Sequence, residues 1–391
     1  MTSLDASFAG RRGRLFWLSL RTSVLTVLTL GIYRFWMKTR LRRWYWSGVR
    51  VGGHQLEYVG EPLEKLLGFL IAVVFLAFYI GIVNLVLMFA SFAILHGNVF
   101  AYVVSFVGVI PIIFYARYRA LRYRLARTRW RGIRFGLEPG AWGYAWRAML
   151  YWALTILSAG ILWPLMTFRL EKYRADRIVW GDLRLEQGGG ASMLYRAAVP
   201  LIAGLLASAG GSALALTRND GWWALAALGA ILALYGLVHY RVASLRLLTG
   251  TKRAGPLGFE ARFSPGRVAR ILVFGHLLAG LLLLMVLSVV MTAVGAVLAS
   301  AIPGADLARL QDLRGVPFAA VAALGALGYF LLFVVWGALR HAFVTLPLWR
   351  HYAETLRVKG AGELYRVRQR DRDAHVEAEG FAEALDIGAA V

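Results

Sequence analysis

The chain has 391 residues, of which 59% are hydrophobic and only 17% charged, against about 45–50% apolar and ~25% charged in soluble domains. The apolar excess falls in uncharged runs of about 20 or more residues, long enough to cross a ~30 Å hydrocarbon layer as helices, which excludes a soluble globular protein and a disordered chain. Lys and Arg number 44 against 21 Asp and Glu, a net charge of +23, and cysteine is absent, which removes disulfides, zinc–thiolate sites, iron–sulfur clusters and a thiol nucleophile.

In chain order the charge-free apolar stretches are 66–93, 99–116, 197–217, 221–238, 271–305 and 316–339. They form three pairs. The links are His96-Gly97-Asn98, Arg218-Asn219-Asp220, and a longer one carrying Asp306, Arg309, Asp312 and Arg314. Only three of the 44 basic residues lie in the links; the other 41 lie in the N-terminus, the segments between the pairs and the C-terminal tail. Three helical hairpins would put those 41 on one face. Basic residues collect on the cytoplasmic side, so that face is expected in the cytoplasm. This sidedness also argues against reading the basic chain as a nucleic-acid binder.

Two further apolar segments, 15–36 and 146–168, have basic residues on both sides and an interior glycine, Gly31 or Gly160. Full spans there would put successive basic segments on opposite faces. They are therefore read as interfacial or re-entrant, with two ordinary spans as the alternative. Arg11-Arg12 ahead of the first run resembles an export signal only faintly, since Arg21 interrupts the run and no small-residue cleavage site follows.

The basic segments share a plan. A membrane segment ends in aromatics, which favour the headgroup layer. Arginines then recur at three- and four-residue spacing on a helical turn or two, followed by a short strand, a tight turn and a second strand. Gly52-Gly53 and Gly181-Asp182 suit two-residue hairpins. His54, Leu56 and Tyr58 alternate with Gln55 and Glu57. Four copies are visible and a degenerate fifth begins near Trp349. A lone hairpin is marginal in water, so the copies are expected to form a small cytoplasmic β layer.

The organisation is therefore expected to be a first unit at 1–140 (segment 15–36, module 37–65, hairpin 66–116, module 117–140). A second unit follows at 141–267 (segment 146–168, module 169–196, hairpin 197–238, module 239–267). A third hairpin with its final module occupies 268–359, and a polar tail 360–391. The larger unit reads as a parallel internal duplication. The expected fold is an all-α polytopic membrane protein, with about six transmembrane helices in three hairpins, two re-entrant or additional spanning segments, and small cytoplasmic β-hairpin modules.

Three places carry a family resemblance. One is Leu28-Thr29-Leu30-Gly31-Ile32-Tyr33-Arg34-Phe35-Trp36 with the Lys/Arg run after it. Another is Phe8-Ala9-Gly10 with Arg14-Leu15-Phe16. The third is Glu379-Gly380-Phe381-Ala382-Glu383-Ala384-Leu385-Asp386-Ile387-Gly388. In these the chain resembles the YjgN family of bacterial inner-membrane proteins, a domain of unknown function. The resemblance implies a polytopic cytoplasmic-membrane protein and supplies no reaction. The third module departs from the pattern in carrying Glu171, Asp176, Asp182 and Glu186 among its arginines.

Catalytic constellations are absent from the sequence. The histidines form no zinc-ligand spacing, and neither a phosphate loop nor a nucleophile elbow occurs. Gly188-Gly189-Gly190 reads as a linker. The six apolar stretches carry no Asp or Glu, whereas ion-coupled carriers usually place carboxylates at membrane depth. Asn84 reads as a helix–helix hydrogen-bonding residue. No cofactor or metal is expected, and no enzymatic activity.

The candidate site is the Arg-aromatic face: Arg40, Arg43 and Trp44; Arg119, Arg122 and Tyr123 with Tyr118; and Arg169, Lys172 and Arg174 with Tyr173. Arg holds phosphate bidentately, and juxtamembrane basic residues favour an anionic leaflet. The leading expectation is a non-enzymatic protein that binds or transports an anionic lipid or small anionic solute through this face. The alternatives are a structural or assembly protein that docks a partner, or a second copy, and a lipid-modifying membrane enzyme.

Overall fold

The computed structural model describes residues 3–78, 81–82, 85–95, 110–301 and 318–370. The link at 96–98, Asn84, the link carrying Asp306 to Arg314 and the motif at 379–388 lie outside them.

Ten short strands close into one antiparallel ring. They are β1 (Ser3–Phe8), β2 (Val49–Val51), β3 (His54–Tyr58), β4 (Thr128–Trp130), β5 (Ile133–Leu137), β6 (Ile178–Trp180), β7 (Leu183–Gln187), β8 (Lys252–Ala254), β9 (Leu257–Ala261) and β10 (Leu356–Lys359). Each strand pairs with its neighbours in sequence. β1 completes the circle by pairing β2 through Ala6–Phe8 and β10 through Ser3–Asp5. Strand propensity alone would not hold three-residue strands. What holds them is the ring, which leaves no unpaired edge.

Four hairpins, β2–β3, β4–β5, β6–β7 and β8–β9, join a three-residue strand to a five-residue strand through two turn residues. Gly52 and Gly53 have φ of 57° and 81°, and Arg131 and Gly132 have 53° and 79°, the positive pair that a type I′ turn requires. One side of each strand faces inward: Val49, Val51, Tyr58, Trp130, Leu137, Trp180, Ala254, Leu257 and Val358 are buried. The Trp130 and Trp180 rings lie 4.8 Å apart. The outward side is charged. Directly opposite in the register stand Glu57 and Arg129, Glu186 and Arg253, and Glu260 and Arg357.

All four hairpin turns lie at one rim. The chain therefore leaves β1, β3, β5, β7 and β9, and re-enters the following strand, at the opposite rim. The excursions hold the helices. The first has α1 (Arg12–Leu28) and α2 (Arg34–Gly48). The second has α3 (Pro62–Phe78), α4 (Leu85–Leu95) and α5 (Ile110–Ala126). The third has α6 (Ala141–Leu157) and α7 (Trp163–Ala175). The fourth has α8 (Ser192–Thr217) and α9 (Trp223–Gly250). The last has α10 (Pro265–Ala301), α11 (Phe318–Arg340) and α12 (Leu346–Glu354).

The chain divides into two compact units. The first comprises the described parts of 1–9, 38–269 and 351–391, and contains the whole ring. The second comprises 10–37 with 270–350. In the second, Ala279, Leu283, Val335 and Leu339 form a buried cluster with Phe16 and Phe343 against it, and the Arg12 guanidinium lies 5.0 Å from the Phe343 ring centroid.

The ring overturns the expectation of an all-α protein whose β-hairpin modules form only a small layer. The physical reason is that a three-residue strand gives barely one alternation, while its pairing demand is met by strands far away in sequence. The expectation of six spans also fails. Among the described residues, four helices are long and apolar enough to cross a membrane: Ser192–Thr217, Asp220–Gly250, Pro265–Ala293 and Gly328–Glu354. Within 66–93 the described residues include α3 as far as Phe78 and α4 from Leu85. The described part of 99–116 belongs to α5, whose later turns carry Arg117, Arg119, Arg122 and Arg124.

Neither 15–36 nor 146–168 is one continuous helix. α1 and α2 are separated by a turn at Leu30 (φ 50°) and Gly31 (φ 93°), and α6 and α7 by a turn at Ala159 (φ 50°) and Gly160 (φ 88°). In each, a threonine hydroxyl meets a methionine sulfur across the helical hairpin, Thr26 to Met37 at 3.8 Å and Thr155 to Met166 at 3.7 Å.

α8 and α9 pack along their length on glycines. A Cβ on Gly204 or Gly211 would collide with the backbone at Ala233 or Ala226, and one on Gly229 or Gly236 with Ser208 or Leu201. Gly210, in the same helix, has open space. Gly204→Ala and Gly229→Ala should each lower the stability of the detergent-solubilised protein by about 1–3 kcal/mol. Gly210→Ala should be neutral or slightly stabilising. Thermal unfolding of the three variants checks this.

Candidate functional site

The sequence-derived residues fall in three places. On α2, Arg40 is exposed and Arg43 donates through Nη2 to the Gly60 carbonyl at 3.0 Å, just past β3. Trp44 packs edge-on against Phe8 and Tyr45. On α5, Arg119 donates to the Tyr115 hydroxyl at 3.1 Å, and Arg122 and Tyr123 are buried. On α7, Arg169 is exposed, Lys172 reaches Asp176 at 2.9 Å and the Gln187 carbonyl at 3.0 Å, and Arg174 pairs with Glu171 at 2.6 Å. Arg119 and Arg174 thus bond within their own helices, whereas Arg43 and Lys172 tie theirs to the chain at the ends of β3 and β7.

Arg42 and Lys65 do the same from deeper positions. Both are buried and flank the Tyr58 ring, at 5.5 Å and 4.9 Å from its centroid. Arg42 donates to the Tyr58 hydroxyl at 3.3 Å.

Arg122 also lines a cavity of about 630 Å³ against the outward side of β4, β5 and β6. α5 supplies Arg122, and Arg127 follows it directly. The strands supply Arg129, Arg134, Gly136 and Val179. Glu61 and Glu64 lie across from them, and Gln369 with Arg370 close one side. Five arginines thus face three glutamates, counting Glu138. Two of those glutamates are engaged. Glu64 accepts from Arg127 at 2.7 Å and from the Tyr123 hydroxyl at 2.9 Å, and Glu138 pairs with Arg184. Burial, with the Tyr58 and Glu64 oxygens nearby, raises the Tyr123 hydroxyl well above its ordinary range, so it stays a donor.

Two arginines in the cavity stand directly opposite each other. Arg129 of β4 pairs in register with Arg134 of β5. Like charges at such positions repel. The equivalent pairs in the other hairpins are Arg50 with Gln55, Val179 with Arg184, and Arg253 with Gly258. The Nε of Arg129 is buried with no hydrogen-bond partner. Glu57 lies on its other side in the register.

At the β5–β6 seam the outward pair is Gly136 with Val179, where four other seams have an acid and an arginine. The segment at 367–370 lies against the β6–β7 turn. Arg368 exchanges hydrogen bonds with Asp182, its carbonyl accepting from the Asp182 N–H at 3.0 Å and its own N–H donating to the carboxylate at 3.1 Å. Gln369 Oε1 accepts from the Arg134 N–H at 2.8 Å.

Of this cavity the sequence reading selected only Arg122. Arg129 and Arg134 carried a usable signal: they flank the Arg131-Gly132 turn symmetrically, which makes them cross-strand neighbours on one face. Among the described residues no cluster of His, Asp and Glu could hold a metal.

These features define a membrane protein whose helical excursions return to a small β ring. The chain belongs to the family of bacterial proteins of unknown function described as DUF898, which matches residues 3–384. It is similar to the inner membrane protein YjgN of Salmonella typhimurium (strain LT2), with 30% identity over 140 residues, 35% of this chain and 33% of the relative. The match thus spans about a third of that relative's length, and it agrees with the resemblance to the YjgN family. No solved structure matches.

A second charged group ties α7 to β8. Glu171 accepts from Arg174 and from Lys252, both at 2.6 Å. Burial pushes its carboxyl up, but the two cations and their hydrogen bonds outweigh burial and hold it at about 2, below its ordinary 4.5. A carboxyl depressed on folding contributes stability above its unfolded value, and that contribution is lost as pH falls from about 4.5 through 2. It amounts to ~3 kcal/mol at most. Glu171→Gln should therefore destabilise the protein at neutral pH and flatten the loss of stability over that acid window, as read by unfolding in detergent across pH.

Proposed function

We propose that the protein is a non-enzymatic membrane binder of a small anionic solute, phosphorylated or carboxylated, held in the Arg-lined cavity on the side of the ring. The observation that carries this reading is the Arg129–Arg134 pair, two like charges directly opposite each other and facing a cavity with more cations than carboxylates. An anion between them turns repulsion into two charge-assisted contacts. Each guanidinium has five donors, so bonds already made to the protein leave others for a ligand. Lining groups such as Glu61, Gln369 and the Gly136 backbone are polar, which suits a solute better than an acyl chain.

The ring is assigned to the cytoplasmic side of the inner membrane. The support is the concentration of basic residues outside the apolar runs, since such residues collect on that side. Each helical hairpin that crosses the bilayer then leaves the cytoplasmic side and returns to it.

Calorimetric titration of the purified protein in mild detergent tests the reading, with pyrophosphate and citrate as probes. Arg129→Ala and Arg134→Ala should each weaken binding by about tenfold or more, the loss of one charge-assisted hydrogen bond. Thermal stability should hold or rise, because each change removes the like-charge repulsion. Unaltered affinity in both variants, or no binding of either probe at millimolar concentration, would overturn it.

A further inference from the structure

A second groove, of about 520 Å³, lies between the first turns of α8 and the last turns of α9. Its chemistry and depth differ from those of the cavity on the ring. We infer that it seats the phosphate of an anionic membrane phospholipid, clamped between Arg196 and Arg246.

Arg196 is the fifth residue of α8, and Arg246 is four residues before the end of α9. The helices run antiparallel, so both arginines stand at the end that joins the ring. That is the level at which a span leaves hydrocarbon for headgroups. Both are exposed, and no Asp or Glu lines the groove. The start of α8 adds to the positive field: its first turn has no acidic residue and its cap makes no side-chain hydrogen bond, so the amide end of the helix stays electropositive.

The walls suit a headgroup. Ala197 and Ala243 are buried and form a shallow floor, which lets a phosphate approach closely. His239 is fixed on the wall, its Nδ1 lying 3.2 Å from the Ala197 carbonyl. A carbonyl only accepts, so Nδ1 carries the proton. Beyond the groove the same two helices present Leu205, Leu206, Leu228, Ile231 and Leu234 to their surroundings. A basic groove at the end of a helix pair with exposed apolar residues fits an amphiphile, with phosphate at the ring end and acyl chains along the hairpin.

The test is lipid retention by native mass spectrometry, after reconstitution in nanodiscs of phosphatidylglycerol and phosphatidylcholine and release into mild detergent. Wild-type protein should retain phosphatidylglycerol selectively. Arg196→Ala and Arg246→Ala should each cut that retention by at least about tenfold. Arg241→Ala, an exposed α9 residue outside the groove, should cost less than about fivefold, the general attraction of one basic residue for an anionic leaflet. Equal losses from all three variants, or retention of both lipids alike, would overturn the site. Displacement of the lipid by 10 mM inorganic phosphate would overturn the lipid assignment in favour of free phosphate. Arg129→Ala should leave retention unchanged, which keeps this site separate from the cavity on the ring.

Discussion

Backbone donors and acceptors on short strands must be paired, and here the pairing has only one way to close. An isolated hairpin of three plus five residues leaves both edges open and is marginal in water. Four such hairpins set side by side still leave two edges. β1 and β10 fill that gap from opposite ends of the sequence, with Leu4 opposite Val358 and Asp5 opposite Arg357. The Asp5 and Arg357 side chains meet at 2.7 Å on the outward side. β10 and β1 are thus geometrically a fifth hairpin without a turn, since the end of β10 and the start of β1 lie at the rim where the other four turns lie.

Much else follows from closure. Because all turns share a rim, every helical excursion begins and ends at the other rim. The α8–α9 hairpin can then pack backbone to backbone on glycine, because its two ends are held by neighbouring strands, β7 and β8. Gln187 strengthens that attachment from the end of β7, donating to the Leu248 carbonyl at 3.1 Å and to the Thr251 hydroxyl at 2.7 Å. The cations divide their work in the same frame. Arg42 and Lys65 hold their helices against Tyr58 of β3, Arg127 pairs with Glu64 of α3 and Arg174 with Glu171 of its own helix, while Arg129 and Arg134 stand on the outer side of the ring.

The sequence made the apolar runs, the absence of membrane carboxylates and the strand–turn–strand plan of each basic segment legible, because each is local. Inward Tyr58 and outward Glu57 follow directly from alternation. The ring was not legible. Its joints are pairs such as Leu56 with Trp130 and Leu185 with Ala254, separated by whole helical excursions, and nothing at three residues' length signals a distant partner. Candidate residues were chosen for their basicity on helices. The strand arginines at 129 and 134 escaped because their significance depends on being opposite one another.

The closure between the chain ends can be examined directly, since the protein has no cysteine of its own. Leu4→Cys and Val358→Cys, introduced together, should form an intramolecular disulfide on mild oxidation, detected as a mobility shift reversed by reductant. Leu4→Cys with Leu185→Cys, on a strand elsewhere in the ring, should not. Failure of the 4–358 pair to cross-link, or equal cross-linking of both pairs, would contradict a closed ring and leave the hairpins as separate modules.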